Sequence, residues 1–439
     1  MKKRYALSLA ILLSAATLTA CGNNSNNSSN EGNTAAAGEA TKSEDSGKSV
    51  NLKFSIWGND THKKMYEDMI AKFHESHPNI NVEIMTIPFA DYQQKLSIMQ
   101  ASKTAPDVAW LAERMIPQFL TADQLMDISE IKNDTAYNFA DIYPSTLNLL
   151  SKDDHVYGIP FSTPPAMIYY NKTLFEEKGL ATPTELYEQG KWNYDEFLKA
   201  AKALTDPAKG IYGANMVRNG WNNWPDALQS IFNAYGTDFL SADGTKLTLN
   251  SKEGEQALTM FSDMIFKEKV HPKPGDQTTF DTGKIAMQKE LFSYMGKAKA
   301  VTDFKWDIAP LPAGPAGTGT TMGYAGVVGM KDTKHPKETL EFITYITNPD
   351  NMVITSQFFV PSRKAVLESD DFLKQGPSPE SVKMAVIDQM PTAKSLPAHP
   401  NWQQIDTKMQ SVLDYLYTQS ASVQDVLKKA DTEITPLLK

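Results

Sequence analysis

The stretch LKFSIWGND, residues 52–60, indicates the fold class of this chain. Apolar and polar side chains alternate through its first five residues, which is the pattern of a β-strand. Residues 65–73 then carry four large apolar side chains at helical spacing, and residues 80–84 alternate again. This strand–helix–strand unit predicts a parallel sheet with helices on its faces. In such sheets, ligands lie beyond the carboxyl ends of the strands.

Two strand ends therefore become candidates for a binding site. WGND, residues 57–60, ends the first strand, and WLAER, residues 110–114, ends an apolar strand that begins near Pro106. Each places a Trp beside polar or charged side chains. A core position explains either Trp equally well, because Trp is highly buried on average. Two of them at equivalent strand ends favour a site.

The amino-terminal segment has the features of an export signal. Residues 1–20 begin with three basic residues and continue in an apolar stretch too short for a comfortable membrane span. Residues 18–21 resemble the bacterial lipoprotein box, so we expect cleavage before Cys21 and acylation of its thiol, with palmitate or a similar chain. An ordinary export signal with an unused thiol is the alternative. Residues 22–49 lack any large apolar side chain, which predicts that residues 21–49 form a disordered tether.

Length, composition and charge indicate what class of protein the remaining chain is. Beyond the tether about 390 residues remain, which suggests two domains because single cores rarely exceed about 250 to 300 residues. A content of 41% hydrophobic and 22% charged residues is that of an ordinary globular protein. The net charge of -9 argues against nucleic acid as a partner. We expect a lipid-anchored protein on the outer face of the cell membrane.

Motifs for catalysis and for metal binding are missing. HESH, residues 74–77, places two His three residues apart at a helix end, with no further ligands nearby. There is no GxSxG motif, and the single Cys is assigned to the lipid, so no nucleophile is predicted. We expect no metal, no cofactor and no enzyme activity. A carboxylate pair for glycoside hydrolysis stays open among the 52 acidic residues.

A polar loop contains two further tryptophans. Trp221 and Trp224 lie among Asn residues just before a helix that Pro225 is placed to start. Because a loop does not easily bury two indoles, an aromatic platform facing a cleft is favoured over simple loop packing. Trp192 is different: it precedes the N-cap Asn193 and is spaced to pack on Phe197 as a hydrophobic staple. We expect Trp192 to be structural.

Several stretches together resemble the extracellular solute-binding proteins of ABC importers, in the carbohydrate-binding group that includes maltose-binding protein. Each stretch is only modestly specific, but they occur in the family's order over nearly the whole chain. The resemblance is carried by the lipobox at 18–21, LKFSIWGND at 52–60, APDVAWLAER at 105–114, YGIPFSTPPAMIYYNKTLFEEKGL at 157–180, KWNYDEF at 191–197, FDTGKIAMQ at 280–288, WDIAPLPAGPAG at 306–317 and FVPSRKAV at 359–366.

The resemblance implies an α/β, two-lobed periplasmic-binding-protein-like fold of type II. Each lobe would hold a central sheet flanked by helices, and hinge crossings would join the lobes. By analogy, the N-terminal lobe takes residues 50–159 and 304–347, and the C-terminal lobe takes residues 160–303 and 348–439. The implied function is a membrane-tethered monomer that captures a sugar or oligosaccharide between its lobes and delivers it to permease subunits in the membrane.

The resemblance also implies which side chains contact the ligand. Pro164 stands where a related protein has a carboxylate, which leaves the preferred sugar open. Three alternatives remain: an extracellular glycosidase, a sensor that presents ligand to a membrane receptor, and a binder of peptides or metal. The implied contacts are Trp57, Asn59, Asp60, Trp110, Glu113, Arg114, Ser162, Thr163, Trp221, Trp224 and Trp402, with Tyr294, Tyr324 and Arg363 carried over by position.

Overall fold

A computed structural model describes residues 49–217 and 220–439 of the chain. The predicted signal peptide, the lipidated Cys21 and the tether up to residue 48 lie outside the described residues and stay predictions. Within the described ranges, no helix combines the length and the apolar character that crossing a bilayer requires.

The regular elements alternate between strands and helices along the chain. The strands are β1 (Val50–Ile56), β2 (Ile80–Thr86), β3 (Val108–Ala112), β4 (Ser151–Lys152), β5 (His155–Val156), β6 (Gly158–Ser162), β7 (Met167–Asn171), β8 (Met287–Glu290), β9 (Trp306–Pro310), β10 (Ala313–Gly314), β11 (Gly317–Thr318), β12 (Thr321–Met322), β13 (Ala325–Gly329) and β14 (Lys394–Ser395). The α-helices are α1 (Asp60–Ser76), α2 (Phe89–Ala101), α3 (Ile116–Thr121), α4 (Pro144–Leu147), α5 (Lys172–Lys178), α6 (Pro183–Glu188), α7 (Tyr194–Leu204), α8 (Trp224–Tyr235), α9 (Lys252–Phe266), α10 (Met295–Lys299), α11 (Pro336–Ile346), α12 (Pro349–Thr355), α13 (Lys364–Leu367), α14 (Asp370–Leu373), α15 (Pro379–Ala385), α16 (Trp402–Tyr417) and α17 (Val423–Ile434). Short 3₁₀ turns occupy Ser129–Asn133, Phe139–Asp141, Asn148–Leu150, Phe280–Thr282, Phe292–Tyr294, Ile387–Gln389 and Thr435–Leu438.

The N-terminal lobe is built on a five-stranded sheet of order β2-β1-β3-β13-β6. Strand β1 runs parallel to β2 and to β3, which confirms the predicted strand–helix–strand unit. Strand β13 runs antiparallel to both β3 and β6. The carboxyl ends of β1, β3 and β6 therefore meet the amino end of β13 at one edge of the sheet. That edge brings the residues after β1 and β3 together with those before β13.

Aromatic packing fills the core on one face of this sheet. The Phe54 ring lies 5.4 Å from the ring of Tyr66 and 6.2 Å from that of Trp110, in both cases edge to face. Helix α1 buries Tyr66 and Phe73 against the strands. Edge-to-face pairs of this kind add about 0.5 to 1.5 kcal/mol each beyond the burial of apolar area. The core therefore holds β1 and α1 rigidly beneath the sheet edge.

The C-terminal lobe is built on a three-stranded antiparallel sheet of order β8-β7-β9. Helices α7, α8, α9, α16 and α17 pack around a large apolar cluster of this lobe. The Asn193 side chain caps α7 by accepting the Glu196 N–H, as predicted. Trp192 is buried, its ring lies 5.9 Å from Phe197, and its indole N–H donates to the Pro310 carbonyl at 2.9 Å. The structural role predicted for Trp192 is confirmed.

The connections between the lobes differ from the predicted boundaries. Strand β9 pairs with β7 in the C-terminal sheet, although the prediction had assigned residues 304–347 to the N-terminal lobe. Residues after 348 also stay with the first lobe: Met352 lies in its core, and the Thr163 N–H donates to the Val360 carbonyl. The chain crosses between lobes at residues 163–166 and 311–324, and a third time between residues 367 and 402, because α16 and α17 pack in the C-terminal lobe. The family analogy therefore misplaced these segments, because neither the strand pattern of β9 nor the helical pattern after residue 348 reveals which lobe it joins.

Candidate functional site

A cleft of about 710 Å³ opens at the edge of the N-terminal sheet, facing the C-terminal lobe. The strand ends described above form one side of it. The side chains lining the N-terminal side include Trp57, His62, Phe89, Glu113, Arg114, Phe161, Ser162, Tyr324, Phe358 and Phe359. Those lining the C-terminal side include Asn222, Asn223, Leu291, Ser293, Leu396, Asp406 and Gln410.

Trp57 is the half-buried ring at the centre of the N-terminal side. It follows β1 and packs edge to face on Tyr92 at 5.0 Å, on Trp110 at 5.2 Å and on Phe89 at 5.4 Å. Trp110 lies beneath it, fully buried, whereas 45% of the Phe89 side chain is exposed. The stack fixes the orientation of Trp57, and it leaves Phe89 available to a ligand.

His62 connects this side of the cleft to two phenylalanines. Its ring lies 5.0 Å from that of Phe358 and 5.2 Å from that of Phe359. Burial lowers the pKa of His62 below its usual value, so this ring is neutral at pH 7. Gly58 has a φ of +141°, and a Cβ there would lie 2.7 Å from His62 Nδ1. Only Gly lets the chain turn from β1 into α1 with His62 in this place.

Glu113 and Arg114 supply charge where β3 ends. The Glu113 carboxylate accepts the Tyr324 N–H at 3.2 Å and lies 3.8 Å from Arg114 Nε. Burial raises the pKa of Glu113, and the positive charge of Arg114 opposes that shift. The Tyr324 hydroxyl donates to the Thr146 carbonyl at 2.7 Å. Glu113 and Tyr324 are therefore held by protein contacts, while the guanidinium of Arg114 faces the cleft.

Asp406 carries the negative charge on the C-terminal side. One of its carboxylate oxygens accepts the Trp224 indole N–H at 2.8 Å, and the other accepts the Gln410 amide at 3.0 Å. The Trp224 ring is buried and stacks on Trp402 at 5.9 Å. Trp224 and Trp402 thus lie behind the cleft surface. The predicted aromatic platform is wrong for Trp224, because helix α8 turns its ring into the core of the lobe. Trp402, a contact implied by the family resemblance, is buried as well.

A smaller cavity of about 330 Å³ adjoins the cleft, and it contains Trp221 and Tyr294. The chain neighbours of these two residues, Asn222 and Ser293, line the main cleft. Trp221 packs on the rings of Tyr417 at 4.9 Å, His271 at 5.7 Å and Phe261 at 6.3 Å. The Tyr294 hydroxyl donates to the Asp281 carboxylate at 2.6 Å, and burial raises its pKa. Asn215, Asp276, Gln288 and Glu290 give this cavity a polar lining.

The structure brings seven of the predicted contacts to these two cavities. Six of them lie at a strand end, in a crossing or in the loop before α8, and Tyr294 lies in the 3₁₀ turn Phe292–Tyr294. These residues are Trp57, Glu113, Arg114, Ser162 and Tyr324 in the cleft, and Trp221 and Tyr294 in the adjoining cavity.

Three predicted contacts lie in the interior of the N-terminal lobe. Trp110 is fully buried among Phe54, Tyr66 and Phe161. Thr163 is fully buried in the crossing. Arg363 is fully buried too: its guanidinium donates to the Thr347 and Asn138 carbonyls and lies 4.3 Å from the centre of the Tyr137 ring.

Asn59 and Asp60 belong to the start of helix α1. The Asn59 side chain accepts the His62 N–H at 3.0 Å and so forms the N-cap. Asp60 is an exposed first-turn residue, where a negative charge suits the positive end of the helix dipole. Neither side chain lines the cleft. Local helix chemistry explains both residues without a ligand.

Several lining residues were not predicted, namely His62, Phe89, Phe161, Asn222, Asn223, Phe358, Phe359, Asp406 and Gln410. Asn222 and Asn223 lie between the two tryptophans that the sequence did single out. Phe359 opens the quoted FVPSRKAV stretch. Phe161 lies within the quoted stretch 157–180. The remaining residues carry no local signal, because only the folded chain brings α1, α2 and α16 to one cleft. Among the residues that the structure describes, no three His, Cys, Asp or Glu side chains are grouped to hold a metal ion.

Comparison with known proteins places this fold among solute carriers. A family described as bacterial extracellular solute-binding protein matches residues 59–353, well over half of the 439-residue chain. An arabinooligosaccharide-binding protein of Halalkalibacterium halodurans is 26% identical over 285 residues, which cover 60% of this chain and 61% of the relative. The chain therefore spans about three fifths of that relative's length.

Solved structures share the whole fold. An ABC substrate-binding protein of Listeria monocytogenes in complex with cycloalternan is 22% identical, with a TM-score of 0.79 over 89% of this chain and 99% of that one. Maltose-bound MalE3 of T. maritima is 21% identical, with a TM-score of 0.74 over 89% and 100%. These are two-lobed periplasmic binding proteins, so the predicted fold class is confirmed.

Proposed function

Since the chain belongs to the bacterial extracellular solute-binding proteins, we propose that it captures a sugar or oligosaccharide in its cleft and delivers it to the permease of an ABC importer. Members of this family are carriers, and the proposed function includes no catalytic step. The similarity to an arabinooligosaccharide-binding protein and to structures holding cycloalternan and maltose supports a carbohydrate ligand.

The combination of flat rings and hydrogen-bonding groups in one cleft is the observation that carries this proposal. A sugar presents weakly apolar C–H faces that lie flat on aromatic rings, and its hydroxyls need donors and acceptors. Trp57 offers a ring, Arg114 offers donors, and Asn222 offers both a donor and an acceptor at the opposite side. Binding a metal ion or a peptide would not require this combination of aromatic rings and hydrogen-bonding side chains.

We propose that Trp57, Glu113, Arg114, Ser162 and Tyr324 form the main binding site, extended by Trp221 and Tyr294 in the adjoining cavity. Both lobes contribute to this site, so ligand binds the closed arrangement more tightly and shifts the protein toward it. Closure then depends on the three crossings, at residues 163–166, at 311–324 and between 367 and 402. A micromolar dissociation constant, about -8.2 kcal/mol, is within reach of a few charge-assisted hydrogen bonds and one stacking contact.

We also propose that the mature protein is a monomer, held at the outer face of the membrane by a lipid on Cys21. The resemblance of residues 18–21 to a lipobox supports this anchor. Mass spectrometry of the membrane fraction tests it: the amino-terminal peptide of the mature chain should begin with diacylglyceryl-modified Cys21. A Cys21→Ala variant found attached to the membrane as firmly as the native chain would contradict the anchor.

A fluorescence titration tests the proposed ligand class. Trp57 lies in the cleft, so saccharide binding should change the emission of the protein. The panel comprises arabinose, glucose and oligosaccharides of each, measured with the body of the chain from residue 49 onward. We expect saturable binding of at least one member and no hydrolysis products after overnight incubation. Absence of binding across the panel, checked by calorimetry, would contradict the proposed ligand class.

A further inference from the structure

The two sides of the cleft differ in chemistry more than a simple sugar requires. We call the rings of Trp57, Phe89, Phe161, Phe358 and Phe359 the ring wall, and all of them belong to the N-terminal lobe. We call the side chains of Asn222, Asn223, Ser293, Asp406 and Gln410 the polar face, and all of them belong to the C-terminal lobe. Glu113, Arg114 and Ser162 lie on the N-terminal side as well, so the ring wall is an apolar part of a cleft that has polar side chains on both sides.

The ring wall offers few partners to a hydroxyl group. Four of its five rings are phenylalanines, which neither donate nor accept ordinary hydrogen bonds. Their near neighbours are other rings: Phe161 lies 5.1 Å from Phe359, and Phe358 lies 5.0 Å from His62. A sugar hydroxyl pressed against this wall would lose its water without gaining a partner, which is unfavourable.

The outer part of the ring wall is open to solvent. The Phe89 side chain is 45% exposed, one of three large apolar side chains exposed to this degree among the described residues. Phe358 and Trp57 are half-buried beside the same opening. Phe161 and Phe359 are buried, so Phe89, Trp57 and Phe358 supply the accessible part of the wall. Several accessible apolar rings that line one cleft favour a binding site, whereas single exposed apolar residues are ordinary. The wall is thus available to an apolar group of a ligand.

Polar contacts continue on the opposite side, beyond the cleft. Asn222 and Ser293 of the polar face are followed in the adjoining cavity by Asp276, Gln288 and Glu290. Trp221 and Tyr294 add rings there, each beside polar groups. This side supplies the mixture of rings and hydrogen-bonding groups that a saccharide needs, so the hydroxyl-rich part of a ligand belongs here.

We infer that the preferred ligand is an amphipathic glycoside, with its sugar between Trp57, Arg114 and the polar face and with an apolar aryl or alkyl aglycone on the phenylalanine rings of the ring wall. This inference rests on the proposed function and specifies its ligand class. This ligand class distinguishes the site from a site that binds a saccharide with hydroxyl groups on all sides. Because the side chains of the ring wall are all uncharged, the aglycone is expected to be uncharged as well.

Matched pairs of glycosides test the inference. Calorimetric titrations compare the phenyl and methyl glycosides of arabinose and of glucose. They use the protein preparation of the fluorescence titration. We expect the phenyl glycoside of the preferred sugar to bind at least tenfold more tightly than its methyl glycoside. Equal dissociation constants for the two would overturn the inference while leaving sugar capture intact. If both glycosides and the free saccharides all fail to bind, the proposed function fails together with it.

Helix α2 offers a matched pair of variants. Phe89 and Ile98 are both exposed on this helix, at 45% and 59%, but only Phe89 lines the cleft. In Phe89→Ala, the preference for the phenyl over the methyl glycoside should fall several-fold. Ile98→Ala should leave that preference as it is in the native chain. An unchanged preference in Phe89→Ala, with native melting behaviour, would place the aglycone elsewhere and overturn the assignment.

Discussion

At the scale of single residues, burial decides which tryptophans can meet a ligand. Trp57 and Trp110 end equivalent strands and are indistinguishable by sequence pattern, yet Trp57 lines the cleft and Trp110 is fully buried beneath it. The sequence correctly predicted the strand ends as the place of the candidate site. It could not separate a surface ring from the ring that supports it, because that depends on packing against Phe54 and Phe161.

Two tryptophan variants should behave in opposite ways. Trp57→Ala should weaken saccharide binding at least tenfold with a modest loss of stability, because its ring is partly exposed. Trp224→Ala should lower the free energy of unfolding by about 3 to 5 kcal/mol, since it empties a buried site. Denaturant unfolding and calorimetric titration of both variants provide the comparison. A fully stable Trp224→Ala protein would contradict the burial of this ring.

A buried histidine gives stability a defined pH dependence. Nε2 of His271 accepts the Met216 N–H at 2.8 Å, and its Nδ1 contacts the Pro272 carbonyl at 2.7 Å. Burial lowers its pKa from 6.5 to about 4. The unfolded chain therefore binds a proton here at a higher pH than the folded chain does. The resulting stability is complete above about pH 6.5 and is lost as the pH falls toward 4, by about 3 kcal/mol in total.

Unfolding in urea at several pH values tests this expectation. The native chain should lose stability between pH 6.5 and 4, and His271→Gln should lose about 3 kcal/mol less over the same interval. The comparison between the two proteins removes the contribution of other titrating groups. Parallel curves for both would show that His271 does not control this part of the pH profile.

At the scale of elements, the start of helix α1 explains residues that the family resemblance had assigned to the ligand. Asn59 accepts the His62 N–H and caps the helix, and Gly58 provides the turn that precedes it. An Asn after a strand end has the same appearance in sequence whether it binds sugar or caps a helix. Predictions of caps that depend only on local spacing, such as Asn193 for α7, were confirmed.

Replacing the cap separates these two roles of Asn59. Asn59→Ala should cost about 1 kcal/mol of stability through the lost cap. Its affinity for the best saccharide should stay within about twofold, far below the tenfold that 1.4 kcal/mol of lost binding represents. Asn193→Ala, which removes the cap of α7 away from the cleft, is the matched control. A large loss of affinity in Asn59→Ala but not in Asn193→Ala would show that Asn59 contacts the ligand.

At the scale of the whole molecule, the succession of family stretches along the chain predicted the two-lobed α/β fold. The lobe boundaries were less accurate, because β9 and residues 349–367 have patterns that fit either lobe. Which strands pair, when they are far apart in sequence, depends on how all the strands and helices of the folded chain pack together. The local alternation of apolar residues does not indicate with which distant strand a segment pairs.

Ligand binding should change the shape of the molecule as a whole. Since the proposed site takes contacts from both lobes, the best saccharide should reduce the radius of gyration measured by small-angle scattering. Closure should also protect the crossings at residues 163–166 and 311–324 against hydrogen exchange. A tight complex with an unchanged radius of gyration would contradict closure, although not binding itself.

The position of β13 has a consequence for biogenesis. This strand lies between β3 and β6, which the ribosome makes much earlier. The first sheet stays divided until residues 325–329 have emerged, so a nascent chain cannot complete the N-terminal lobe before then. For a chain exported as residues 1–20 predict, this order of synthesis would leave the first sheet incomplete for most of translation.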